Sequence, residues 1–193
     1  MRNRVGVLLA AAALLATPAA AQRGRSPFIM GLTGGATQSD FQQPDSKGRW
    51  GGTAGLMLGK ATYRTLTTFE VNWIQKGGGD FGIDYIELPL TFGGVGRTRS
   101  GAGRARLYTG VAVGFKLGCS GSAGPAACDQ LNGDEWSIPL GIQIAKFAGA
   151  EQNRFFGIDV RYYIALSDLA DVGQTYHQTW SFRVILGKSA GRY

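Results

Sequence analysis

From Leu107 to Leu117 the chain alternates without a break. Leu107, Thr109, Val111, Val113, Phe115 and Leu117 fall on one face; Tyr108, Gly110, Ala112, Gly114 and Lys116 fall on the other. Side chains of an extended strand leave opposite faces with period two, so this segment has one greasy face and one small or polar face. A soluble sandwich buries its greasy face in a core. Here the opposite face carries glycines, a tyrosine and a charge, which suits the narrow lumen of a closed barrel whose apolar face meets lipid. Eight stretches follow the pattern, at about 28–36, 50–60, 64–75, 83–95, 104–117, 135–147, 154–167 and 176–187. They predict an all-β chain: an eight-stranded antiparallel up-and-down transmembrane β-barrel. The first stretch is the weakest, because Gly31, Gly34 and Gly35 dilute it.

The N-terminus reads as an export signal. Arg2 and Arg4 precede an apolar run from Val5 to Leu15, and Ala19-Ala20-Ala21 forms a small-residue cleavage site before Gln22. The apolar run is shorter than the roughly 20 residues a membrane-spanning helix needs. Residues 1–21 are therefore expected to be a signal peptide and 22–193 a single outer-membrane barrel domain. Removing two arginines and no acid takes the formal charge from +7 to +5. The 44% hydrophobic content is ordinary, as expected when only alternate residues of each strand touch lipid. The 31 glycines supply turns and fill lumen positions with no room for larger groups.

Cys119 and Cys128 flank a turn-rich loop in an exported chain, a setting that favours a disulfide. Their spacing is too long for a Cys-x-x-Cys redox pair, and no histidine lies nearby to complete a metal site. Connections between stretches alternate long and short. If the first strand starts in the periplasm, the long loops face away from the cell. Trp50, Trp73, Trp136, Phe156, Tyr176 and Trp180 lie near strand ends, where girdles meet the two membrane interfaces.

Projected inward, Glu70, Glu87, Lys116, Asp159, Arg161 and Arg183 form a mixed-charge set, with all four of Glu70, Glu87, Arg161 and Arg183 sharing one interior. Buried charges must pair, and an eight-stranded barrel is only wide enough for its own side chains. These residues read as structural salt bridges; the sharper alternative is a gated polar path or a small-ligand site. Arg97, Arg99, Arg104 and Arg106 read as a solvated basic turn. Export argues against nucleic acid there, and phospholipid headgroups or other anionic envelope polymers fit the location better.

His177 is the only histidine, and Ser181 lies about 13 Å further along the same strand, too far for direct contact. Asp168, Asp171 and His177 read as a solvated loop rather than a cation site. Gly187-Lys188-Ser189 resembles the end of a phosphate loop, but position 182 is Phe where that motif needs Gly. No catalytic, cofactor or metal residues are assigned.

Glu70-Val71-Asn72-Trp73-Ile74-Gln75-Lys76-Gly77, followed by Tyr85-Ile86-Glu87-Leu88-Pro89-Leu90, resembles the PorT-like outer-membrane β-barrel family. The resemblance is specific over about 69–92 and architectural elsewhere. It implies a small outer-membrane barrel and brings no catalytic residues. The chain departs from such barrels at its end: the alternation stops at Leu186, and Tyr193 follows a polar Lys-Ser-Ala-Gly-Arg tail.

The expected partners are outer-membrane lipids and the barrel-assembly machinery during biogenesis, with no nucleic acid, in a monomer of a Gram-negative envelope. The role is structural or surface-interacting, without enzyme activity. Two alternatives stay open at this point: a lipid-modifying barrel enzyme, and a secreted soluble barrel that holds an apolar ligand inside. Alternation alone does not tell inside from outside. The small residues opposite the apolar face favour lipid outside.

Overall fold

The computed structural model describes residues 27–41, 47–62, 64–98, 103–121, 128, 131–148, 153–167 and 177–190. Eight strands run in order: β1 (Phe28–Phe41), β2 (Arg49–Ala61), β3 (Thr65–Gly78), β4 (Phe81–Arg97), β5 (Gly103–Gly121), β6 (Asp134–Ala148), β7 (Arg154–Ala165) and β8 (His177–Ala190). Each pairs antiparallel with its neighbours, and β1 pairs with β8 to close the barrel. Closure removes every sheet edge, so each of the eight strands has a hydrogen-bonded neighbour on both sides.

The closing seam shows where strand length departs from the alternation pattern. β1 and β8 pair continuously from Phe28↔Ala190 to Phe41↔His177. The seam's backbone bonds hold segments that lack an apolar stripe, so β1 runs on to Phe41 and β8 runs on through the polar Lys188-Ser189-Ala190. The expected end of alternation at Leu186 is thus corrected: Ser189 still faces inward and buried, and Lys188 still faces outward. β7 ends slightly earlier than expected, at Ala165.

Two prolines sit within the wall. The β3–β4 ladder skips the level of Pro89, between Phe69↔Leu90 and Asn72↔Glu87. The β5–β6 ladder skips Pro139 in the same way, between Thr109↔Leu140 and Ala112↔Ser137. Proline has no N–H to donate, so each interrupts its ladder locally. At the loop end, Gly78↔Phe81 pairing leaves a two-residue hairpin turn of Gly79 and Asp80. Gly79 has φ +56°, a left-handed conformation that glycine adopts without penalty.

The faces are sorted as a membrane barrel requires. The outward stripes carry exposed Leu, Ile, Val, Phe and Trp on all eight strands. Leu107 to Leu117 covers about 33 Å along β5, or roughly 25 Å of height at a tilt of about 40°, the height of a bilayer's apolar band. All the buried charged residues face the lumen: Glu70, Lys76, Glu87, Arg106, Glu135, Asp159, Arg161 and Arg183. This overturns the soluble-barrel alternative, which needs an apolar interior. The four tryptophans all sit on the loop-end half, where Trp180 stacks beside Tyr162 at 4.8 Å and Phe182 at 6.4 Å. The expected two-sided aromatic girdle is therefore tryptophan-rich at one end only. Tyr176 lies outside the described residues.

Candidate functional site

The lumen is built in layers. Nearest the short turns, Ile29, Met57, Leu66, Phe155 and Ile185 form an apolar plug. Above it, the Arg106 guanidinium donates to Thr91 Oγ1 at 2.7 Å and to the Leu66 carbonyl at 3.0 Å, and lies 4.4 Å from the Tyr108 ring centre. A void of about 20 Å³ lies here, lined by Arg104, Arg106 and Gln143 among apolar neighbours. That is close to the space of a single water molecule.

The central layer is a four-charge network. Arg161 Nη2 donates to Glu70 Oε1, and Arg183 Nη1 donates to Glu70 Oε2, both at 2.7 Å. Arg183 also donates through Nε and Nη2 to Asp159 Oδ2, the residue directly opposite it on β7. The Tyr108 hydroxyl donates to Asp159 Oδ1 at 2.5 Å and accepts from Arg161 Nε at 2.8 Å. Asn72 Nδ2 completes the shell of Glu70 at 3.0 Å. Gly141, between Tyr108 and Arg161 in the ladders, makes this approach possible: a Cβ there would lie 2.3 Å from the Tyr108 hydroxyl oxygen.

A second network lies toward the loops. Lys76 Nζ donates to Glu87 Oε1 at 2.8 Å and to Glu135 Oε1 at 2.9 Å. The same ammonium sits 5.5 Å and 5.0 Å from the ring centres of Tyr85 and Tyr163, within cation–π range. Ile74, Ile83, Tyr85, Ala112 and Tyr163 then cluster around it. Among the described residues, four buried acids are matched in number by four buried bases.

Several expectations change. Glu70, Asp159, Arg161 and Arg183 do meet, but Glu87 joins Lys76 and Glu135 in the second network instead of sharing theirs. Lys116 belongs to neither: its ammonium donates to the carbonyls of Cys128 and Leu131, both at 2.7 Å. Its strand overshoots the charged layers, and the lysine tethers the loop rather than the lumen. Arg106, read above as part of a solvated turn, is 3% exposed inside the barrel. Arg97 is exposed and Arg104 half-buried; Arg99 lies outside the described residues.

Lys76, Glu135 and Tyr108 were missed as site residues. All three carry the inward phase of their strands, and extending β3 past Gln75 would have included Lys76. The residues that carried the family resemblance thus have a physical task, since Lys76, Tyr85 and Glu87 make the second network. Cys119 and Cys128 form the expected disulfide, with Cα atoms 5.8 Å apart. Ser181 is buried beside Arg161 in the β7–β8 ladder. The side chain of His177 lies outside the described residues, as do Asp168, Asp171 and residues 1–21.

Among solved structures, the chain is similar to the outer membrane protein OprG from Pseudomonas aeruginosa. The identity is 14% over 87% of this chain and 97% of that one, with a TM-score of 0.54. It is also similar to Neisserial surface protein A, at 13% identity over 82% of this chain and 96% of that one, with a TM-score of 0.50. At such identities the likeness is one of fold, the small closed outer-membrane barrel. No protein-family model and no curated protein sequence matches the chain.

Proposed function

We propose that this chain is an integral outer-membrane barrel with a structural or surface-interacting role and a sealed lumen. The observation that carries the reading is the inversion of an ordinary protein's pattern: buried charges inside, an apolar belt outside. In water such a belt would expose apolar area far beyond the few hundred Å² a soluble monomer tolerates. Among the described residues, seven of the eight buried lumen charges pair with an opposite charge, and Arg106 is held by Thr91 and the Leu66 carbonyl, which supports a wall-bracing role over transport or catalysis. The apolar plug and the tyrosine-capped upper network close the two ends. The export signal with cleavage after Ala21, delivery by the barrel-assembly machinery, a monomeric state and membership of the PorT-like family complete this reading. The last is supported by the Gln75-Lys76-Gly77 and Tyr85-Ile86-Glu87-Leu88-Pro89 segments.

Alkaline washing of envelope fractions tests it. The mature chain, starting at Gln22, should stay with the outer-membrane pellet. Release into the wash would refute membrane integration, and an intact N-terminus would refute the cleavage.

A further inference from the structure

Two cations stand opposite each other on the outside of the barrel. Arg154 on β7 and Lys188 on β8 are direct partners in the ladder. Both are exposed, and both continue outward apolar stripes, those of Phe156 and Leu186. Like charges directly opposite one another across a ladder repel, so the pair is destabilising until an anion joins it.

No described acid supplies that anion. Glu70, Glu87, Glu135 and Asp159 are engaged in the lumen. The remaining described acids, Asp40, Asp80, Asp84 and Asp134, are at the loop end. Glu151, in the β6–β7 turn, lies outside the described residues. Outward strand cations show the opposite bias: Lys60, Lys146, Arg154 and Lys188 all sit at the short-turn end. The barrel's outer surface is therefore anchored by tryptophans at one end and by cations at the other.

The pair also borders a groove. A depression of about 830 Å³ runs along the β1–β8 seam and over β2 and β3, where Gly31 faces Gly187 across the ladder. Met30, Leu32, Leu56, Leu58 and Leu186 line it, and Arg154 and Lys188 stand at its turn-end margin. Its size is that of a small-molecule site, and its chemistry is an apolar trough with a cationic head.

We propose that this groove binds one anionic phospholipid from the leaflet at the turn end, with its phosphate between Arg154 and Lys188 and an acyl chain along the seam. A guanidinium takes phosphate oxygens two at a time, and a lysine adds a point charge. The site rests on the membrane reading above and adds a lipid preference to it.

Native mass spectrometry of the mature protein, released from micelles containing phosphatidylglycerol or phosphatidylcholine, measures that preference. Each cation near an anionic headgroup contributes about fivefold, so the pair should favour phosphatidylglycerol on the order of thirtyfold. The doubly substituted Arg154→Gln, Lys188→Gln protein should bind both lipids alike. Lys47→Gln at the loop end should keep the wild-type preference. Excess inorganic phosphate should leave the lipid bound; displacement would overturn the lipid assignment in favour of a free-phosphate site. Equal retention of both lipids by wild type, or an unchanged preference in the double variant, would overturn the site. Wild type that inserts into phosphatidylcholine vesicles without a preference loses this site but keeps the membrane reading. Failure to insert at all removes both.

Discussion

Replacing Glu70 by Gln removes one negative charge from between two guanidinium groups. Arg161 and Arg183 each donate to a different Glu70 oxygen at 2.7 Å, so both lose a charged acceptor. Asp159 is then the single carboxylate left to two arginines in the central layer. Hydrogen bonds to charged groups contribute about 1.5–3 kcal/mol each, which puts the loss near 3–6 kcal/mol. Breaking a buried ion pair by removing one partner costs about 3–5 kcal/mol, in agreement. Glu87→Gln should cost roughly half as much, because Lys76 loses one charged bond and keeps Glu135 at 2.9 Å.

Urea titration of the detergent-refolded barrel measures the difference, read by tryptophan fluorescence and by the mobility of unheated protein on a gel. With a slope on the order of 2 kcal/mol per molar, Glu70→Gln should lower the midpoint by roughly 2 M. Adding Arg161→Met to Glu70→Gln should recover part of that loss, since an apolar residue leaves no charge to pair. A cost for Glu70→Gln below about 1 kcal/mol, or one no larger than that of Glu87→Gln, would refute the assignment of Glu70 as the hub.

Val111→Arg places a charge on the exposed apolar face of β5 and should cost roughly 2–4 kcal/mol in lipid; unchanged folding into vesicles would contradict the lipid-facing stripe. The Cys119–Cys128 bridge closes a loop of about ten residues, worth on the order of 2–3 kcal/mol. Protein purified from envelopes without reductant should resist alkylation, and the barrel should survive reduction, since the bridge closes a loop at the rim. Planar-bilayer recordings of wild type should be nearly silent. A steady ohmic conductance whose ion selectivity changes in Glu87→Gln would replace the sealed lumen with a channel.

The period-two alternation was enough to read an eight-stranded barrel and to assign inward and outward phases, because a strand's face is a local property of φ and ψ. It also placed Glu70, Asp159, Arg161 and Arg183 inside, and composition with spacing indicated the disulfide. Partnership in the lumen was not legible. Glu70 meets Arg161 and Arg183 across separations of 91 and 113 residues, and those meetings depend on register, strand tilt and the width of the closed ring. Strand ends were equally hidden. The Gly77-Gly78-Gly79 run dilutes the alternation, so the pattern ends at about Gln75 whereas β3 runs to Gly78 and takes in Lys76; the cluster of arginines about the fourth turn masks the burial of Arg106. The opposition of Arg154 and Lys188 exists only once β7 and β8 are in register. Chain geometry sets which way each side chain points, whereas barrel closure sets what it finds there.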